Sequence, residues 1–119
     1  MVKARNKNIV IADDNQDLCM AITDVLQEVG HMVHAVNNGY ELLSYLENNN
    51  PSIVILDLMM PEKDGISIIS TIRHLVPHSR IIIYTGHQEY EHSVYARTAD
   101  HFLVKGGNID NLIDIVGKL

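Results

Sequence analysis

The feature that most constrains this chain is a strict alternation of short apolar runs with amphipathic stretches, repeated five times in 119 residues. The apolar runs are 9–12, 32–36, 53–56, 81–84 and 102–104. All except 32–36 are nearly continuous, the pattern of strands buried on both faces. Between the runs, apolar residues recur at helical spacing. Leu18, Ile22, Val25, Leu26 and Val29 make one such stripe; Ile68, Ile69, Ile72, Leu75 and Val76 make another; Ile109, Leu112, Ile113 and Val116 make a third. Gly30 stops the first helix, and the Asn-rich run 48–51, closed by Pro51, ends the second. Residues 87–99 are also expected to be helical, although apolar positions there are sparse. Five strand–helix units imply one α/β domain, a parallel sheet covered by helices on both faces. The domain spans 8–119. Residues 1–7 carry Lys3, Arg5 and Lys7 and lack the apolar stretch of a signal peptide, so they read as a flexible, solvated tail.

In parallel sheets of this kind, ligands bind at the carboxyl ends of the strands. Those ends carry Asp13 and Asp14 after the first run, Asp57 after the third, Thr85 within one residue of the fourth and Lys105 after the fifth. The second run ends in Asn37 and Asn38 and contributes nothing comparable. Three aspartates at one edge repel one another. At about 5 Å and an effective dielectric of about 20, each pair costs roughly 3 kcal/mol. A small hard dication relieves that cost, and magnesium takes carboxylates together with water and phosphate oxygens. Asp13, Asp14 and Asp57 therefore read as a magnesium site left open toward a phosphoryl oxygen. Lys105 adds a positive charge, Thr85 a hydroxyl donor, and Gly86 has no side chain to obstruct approach. A carboxylate nucleophile, a dication, a lysine and a hydroxyl together suit phosphoryl transfer.

Each of these residues has a plainer explanation when taken alone. Asp13 and Asp14 could complement a helix dipole, Asp57 could be a turn residue, Thr85 a β-branched strand residue and Lys105 a solvated end. Their convergence on one edge is what favours chemistry. Net charge of −6 gives no basic footprint for nucleic acid or an anionic membrane, and the apolar runs are too short to span a bilayer. The single Cys19 excludes an internal disulfide, fits a reducing cytoplasm and reads as a helix packing residue. The seven histidines form no ligand pair at metal-binding spacing and read as surface or packing residues. Tyr90 and Tyr95 read either as half-packed or as part of a partner surface, and Asp64-Gly65 as a loop-to-helix junction.

Asp13-Asp14, Asp57 within LDLMMPEKDG, Thr85-Gly86 and the FLVK run ending at Lys105 resemble the response-regulator receiver domain of two-component signalling. The likeness extends from Asn8 to Leu119, with Pro61 and Asp64-Gly65 at the usual offsets. It implies a doubly wound, flavodoxin-like sheet of strand order 2-1-3-4-5. It implies that Asp57 is the phosphoacceptor, attacking a phosphohistidine of a sensor histidine kinase or histidine phosphotransfer protein. Asp14 and Asp57 would ligate Mg2+ directly, Asp13 mainly through water, and the Met59 carbonyl would complete the set. Lys105 would bind a phosphoryl oxygen. Thr85 would swing toward the phosphoryl group with Phe102 following it. That would remodel the surface of the fourth helix, fifth strand and fifth helix, a face that also suits a homodimer. The implied protein is a cytoplasmic switch, not an enzyme beyond its own phosphorylation and dephosphorylation, with no direct contact to nucleic acid or membrane.

Three positions depart from the family pattern. Gly106 replaces the usual proline after the lysine, which predicts a trans bond and a more mobile loop where partners dock. Phe102 replaces the commoner tyrosine and lacks a hydroxyl. Met59 and His87 occupy the positions that flank the phosphoryl group, and apolar Met59 cannot orient a water, which predicts a moderate to long phosphorylated lifetime. An alternative is a magnesium-dependent phosphatase-like enzyme using Asp57 as nucleophile, but Met59 stands where such enzymes place a second acid and no cap insertion is present. A phosphorylation-independent interaction module is a further alternative.

Overall fold

The computed structural model describes residues 6–60 and 65–119. Lys3, Arg5, Pro61 and Asp64 lie outside the described residues. Five strands, β1 (Asn8–Ala12), β2 (Met32–Val36), β3 (Ile53–Leu56), β4 (Arg80–Thr85) and β5 (His101–Val104), form one parallel sheet of order β2-β1-β3-β4-β5. The helices are α1 (Gln16–Glu28), α2 (Gly39–Asn48), α3 (Gly65–Leu75), α4 (Val94–Thr98) and α5 (Asp110–Lys118). Alternation along each strand divides the core. Val10, Ala12, Val54, Leu56, Ile81 and Ile83 pack under α2 and α3, whereas Ile9, Ile11, Ile53, Ile55, Ile82 and Tyr84 pack under α1 and α5.

Local chemistry sets the helix ends. The Asn15 side chain accepts from the Leu18 amide at the start of α1, and Asn38 does the same for Glu41 at the start of α2. Glu41 reaches back to accept from the Asn37 amide, so two otherwise unpaired donors are satisfied reciprocally. At the end of α1, Gly30 takes φ 107°, its amide donates to the Gln27 carbonyl, and the His31 amide donates to Leu26. This paired closure needs a left-handed residue after the cap, which glycine adopts without a Cβ penalty.

Four details differ from the sequence expectation. The fifth run is not buried on both faces: β5 is an edge strand, its residues are half-buried, and Val104 is 39% exposed. An apolar run of three residues cannot report its place in the strand order. The helix expected over 87–99 is a 3-10 turn, Gln88–Tyr90, followed by the five-residue α4, which Ser93 caps through the Ala96 amide. Too few apolar positions recur there to fix a longer helix against the sheet. Val29 follows the α1 stripe but is exposed, because it caps the helix beyond the last packed turn. Lys7 is not part of a loose tail. Its carbonyl accepts from the Met32 amide, and its ammonium donates to the Val116 carbonyl at 2.7 Å, a cation at the carboxyl end of α5.

The amino end of the sheet is held by Arg73 on α3. Its guanidinium donates to the carbonyls of Ser79 and Thr98 and to the Asp100 carboxylate, and that carboxylate also accepts from the Ile81 amide at 2.7 Å. Burial pushes the Asp100 pKa up, but the Ile81 amide and Arg73 outweigh it and hold it below the ordinary aspartate value. A depressed folded pKa contributes stability above the unfolded value, about 3.9, and that stability is lost as pH falls through the folded value. Asp100→Ala is expected to lower unfolding free energy by about 1 kcal/mol at neutral pH, allowing for solvent screening of a partly exposed group. In urea unfolding followed across pH, the deficit should shrink below about pH 4. A deficit that stays constant to lower pH would remove the carboxylate from the explanation.

Candidate functional site

The ladder hydrogen bonds continue past the strand ends, and this is what builds the site. The Asp13 amide donates to the Val36 carbonyl and the Asp57 amide to Ala12, so both aspartates remain in register with the sheet. Asp13, Asp14 and Asp57 each offer a carboxylate oxygen, and these oxygens lie within 4.8 Å of one another. Asp13 and Asp57 are buried and Asp14 is exposed. The Lys105 ammonium stands between the buried pair, 2.7 Å from Asp13 Oδ2 and 3.0 Å from Asp57 Oδ2. The Asn15 amide donates to Asp13 Oδ1, and the Met59 amide to Asp57 Oδ1. Thr85 is fully buried, and its Oγ1 accepts from the His87 amide at 3.3 Å. The structure thus brings together the side chains of Asp13, Asp14, Asp57 and Lys105 with the Met59 backbone, and Thr85 borders them through its carbonyl, which accepts from the Lys105 amide.

The electrostatics are those of an under-compensated acidic cluster. Burial raises the Asp13 pKa, against the opposing hydrogen bonds from Lys105 and the Asn15 amide, and the Asp57 charge adds to the rise. Burial pulls the Lys105 pKa down, yet its hydrogen bonds to Asp13 and Asp57 outweigh this and leave it above the ordinary lysine value. The ammonium is therefore charged at neutral pH. Among the described residues, Lys105 is the cation that pairs with these carboxylates. One ammonium against three carboxylates leaves the cluster short of positive charge. The donor set is all oxygen, which suits a hard dication such as magnesium.

Several neighbours complete the picture. Cys19 is buried on α1; burial raises its thiol to about 11, and Asp13 adds to that, so it is a protonated packing residue whose Sγ donates to the Asp13 carbonyl. Phe102 sits on the opposite face of the sheet from Lys105's acidic partners, packed against the core beneath α2 and α3, as are Tyr90, Tyr95 and Ala99. Tyr90 and Tyr95 are half-buried and meet edge to face. The His87 ring lies 3.4 Å from the Glu89 carboxylate. His34 stacks on Tyr45, His31 is buried, and no described histidine joins a metal-binding group. Gly106 and Gly107 have open space at the Cβ position, and no cis bond occurs among the described residues.

Comparison with known proteins decides the family. Residues 9–117 match the response regulator receiver domain. The chain belongs to that family. As a receiver domain it is a signalling domain, and it is similar to chemotaxis protein CheY of Bacillus subtilis, 30% identical over 113 residues that cover 92% of this chain and 94% of CheY. It is also similar to the transcriptional regulator NtrC of Azospirillum brasilense, 27% identical over 112 residues that cover 92% of this chain; it spans 23% of that regulator's length. The response regulator TrrA of Thermotoga maritima, solved in complex with Mg2+-BeF, superimposes with a TM-score of 0.87 at 31% identity, over 94% of this chain and 97% of TrrA. TrrA is also known in complex with histidine kinase ThkA; that receiver chain gives a TM-score of 0.85 at 31% identity, with the same coverage. The receiver fold with strand order 2-1-3-4-5 is as expected from the sequence. Among the described residues, no helix is long and apolar enough to cross a membrane.

Two contributors to the site were not legible in the sequence. The Asn15 amide holds Asp13, a contact that only the turn into α1 creates. Gly65 was read as a junction, but a Cβ there would lie 2.5 Å from the Asp57 carbonyl oxygen and 3.0 Å from Leu58 Cα. Its own amide donates to the Leu58 carbonyl at 2.8 Å. Helix α3 can therefore begin against the backbone that carries Asp57 only because this residue lacks a side chain. Gly65→Ala is expected to destabilise the domain by about 1–3 kcal/mol, read by chemical denaturation. An unchanged midpoint would show that the backbone yields without cost.

Proposed function

We propose that this receiver domain takes a phosphoryl group on Asp57 from a phosphohistidine of a sensor histidine kinase or histidine phosphotransfer protein. The observation that carries this is the Lys105 ammonium set between the buried Asp13 and Asp57. In the transfer, an Asp57 carboxylate oxygen forms the new bond to phosphorus while the phosphorus–nitrogen bond to the donor imidazole breaks. The imidazole leaves with the electron pair and takes a proton. Lys105 binds a phosphoryl oxygen, and the Met59 amide, already on Asp57 Oδ1, fixes the nucleophile's orientation. Asp13, Asp14, Asp57 and the Met59 carbonyl would hold Mg2+, which when bound neutralises charge developing on the phosphoryl oxygens. The solved complex of TrrA with Mg2+-BeF supports the metal, and that of TrrA with ThkA supports the kind of partner.

Thr85 Oγ1 accepts only the His87 amide among the described residues, so its proton serves as a donor to a phosphoryl oxygen. Reaching that oxygen displaces a fully buried side chain, and Phe102 moves into the space it leaves. The phosphoryl group thereby favours one of two states of the α4–β5–α5 face, where a partner or a second copy binds. The chemistry is confined to the domain's own phosphorylation and dephosphorylation, in the cytoplasm. Met59 and His87 flank the phosphoryl group, and the absence of a water-orienting side chain at Met59 gives it a moderate to long lifetime.

Incubation with acetyl phosphate and Mg2+ should add one alkali-labile phosphoryl mass to the protein. Asp57→Asn and metal chelation should both abolish it, and Lys105→Ala should slow it by roughly a hundredfold. An adduct that survives in Asp57→Asn refutes the assignment. Turnover of free phosphomonoesters would instead mark a phosphatase-like enzyme.

A further inference from the structure

One large side chain at the carboxyl edge has no role in the chemistry above. The register pairs Ala12 with Leu56 and Leu56 with Ile83. The next residue on each strand is Asp13, Asp57 and Tyr84, so these three stand level across β1, β3 and β4. Level residues of a parallel sheet share a face. Tyr84 packs with Ile82, Cys19 and Leu112 under α1 and α5, and Asp57 continues the alternation of Ile53 and Ile55, which belong to the same cluster. Lys105 begins on the far side of β4, where its amide donates to the Thr85 carbonyl at 2.8 Å. Its ammonium nevertheless ends between Asp13 and Asp57. β5 and β3 are two strand spacings apart, about 10 Å, with β4 between them. Leu103, two residues before Lys105, packs in the α1–α5 cluster, which puts the lysine on that face too. The lysine stem therefore crosses the end of β4 on the side where Tyr84 stands.

We infer that Tyr84 is a positioning residue for Lys105: its ring is the wall along which the lysine stem lies, and it holds the ammonium between Asp13 and Asp57. This rests on the phosphoacceptor reading of the site and assigns it one more residue. A lysine stem is four flexible carbons, and without a wall its ammonium swings to solvent. Tyr84 is 4% exposed, so the wall is itself rigidly packed. Burial raises the phenol's pKa, and Lys105 is foremost among the charges acting on it, followed by Asp13. The ring provides the wall, so the hydroxyl is dispensable.

The test compares Tyr84→Phe, Tyr84→Leu and Tyr84→Ala, with Lys105→Ala and the Tyr84→Ala/Lys105→Ala pair. Circular dichroism identifies the folded variants. In the unphosphorylated protein, the Lys105 ammonium should give a slowly exchanging 1H–15N signal, kept in Tyr84→Phe and lost in Tyr84→Ala. Labelling of Asp57 by acetyl phosphate should fall about tenfold in Tyr84→Ala, stay within about twofold in Tyr84→Phe, and show little further loss when Tyr84→Ala is added to Lys105→Ala. If Tyr84→Ala does not fold, Tyr84→Leu, which keeps an apolar side chain, decides with the same readings. A retained lysine signal in a folded variant, or losses that simply multiply in the double variant, overturns the inference. If wild-type protein takes no label, the phosphoacceptor reading fails, and the lysine signal still decides whether Tyr84 positions Lys105.

Discussion

The Lys105 ammonium joins two carboxylates that the sheet would otherwise force together uncompensated. Asp13 and Asp57 are buried and fixed in ladder register, so neither can retreat into water. Removing one partner of such a buried set typically costs about 3–5 kcal/mol, because a charge is left unpaired. The same contact ties the end of β5 to the ends of β1 and β3 across β4. Geometry of the site and cohesion of the edge are thus one interaction.

The sheet also divides labour between its faces. Asp13 and Asp57 continue the strand positions that pack under α1 and α5, together with Tyr84. Phe102 lies on the other face, against the core cluster on which Tyr90, Tyr95 and Ala99 also pack. Thr85 follows Tyr84 on β4 and so points to that second face, although its backbone borders the acidic row. The acidic row and the surface around Phe102 thus lie on opposite faces of the sheet, separated at β4 by a single alternation of the backbone, from Tyr84 to Thr85.

Much of this was legible from residue order. Four apolar runs ending in Asp13, Asp57, Thr85 and Lys105 suffice to place those residues at one edge, because strand ends in a parallel sheet coincide. Strand interiors at β1, β3 and β4 were equally plain, since burial on both faces leaves uninterrupted isoleucine and valine. What was hidden depended on register or on close approach. Tyr84 reads as one more apolar strand residue until β4 is aligned with β3. Gly65 reads as a turn until the backbone of Asp57 is set against it. The edge position of β5 and the broken helix after β4 were invisible for a related reason: each is decided by what packs beside it, and four or five residues carry too little pattern to say.

Arg73 gives the region around α4 a mechanical asymmetry. Its guanidinium holds the Thr98 carbonyl at the last turn of α4, while the first turn is fastened by the Ser93 hydroxyl, which lies on the same stretch of chain as the helix itself. The carboxyl end of α4 is bolted to α3 through Arg73, while nearer its start Tyr90 and Tyr95 seat on the core beneath α2 and α3. One guanidinium thus acts as a rivet through α3, the end of α4 and the approaches to β4 and β5.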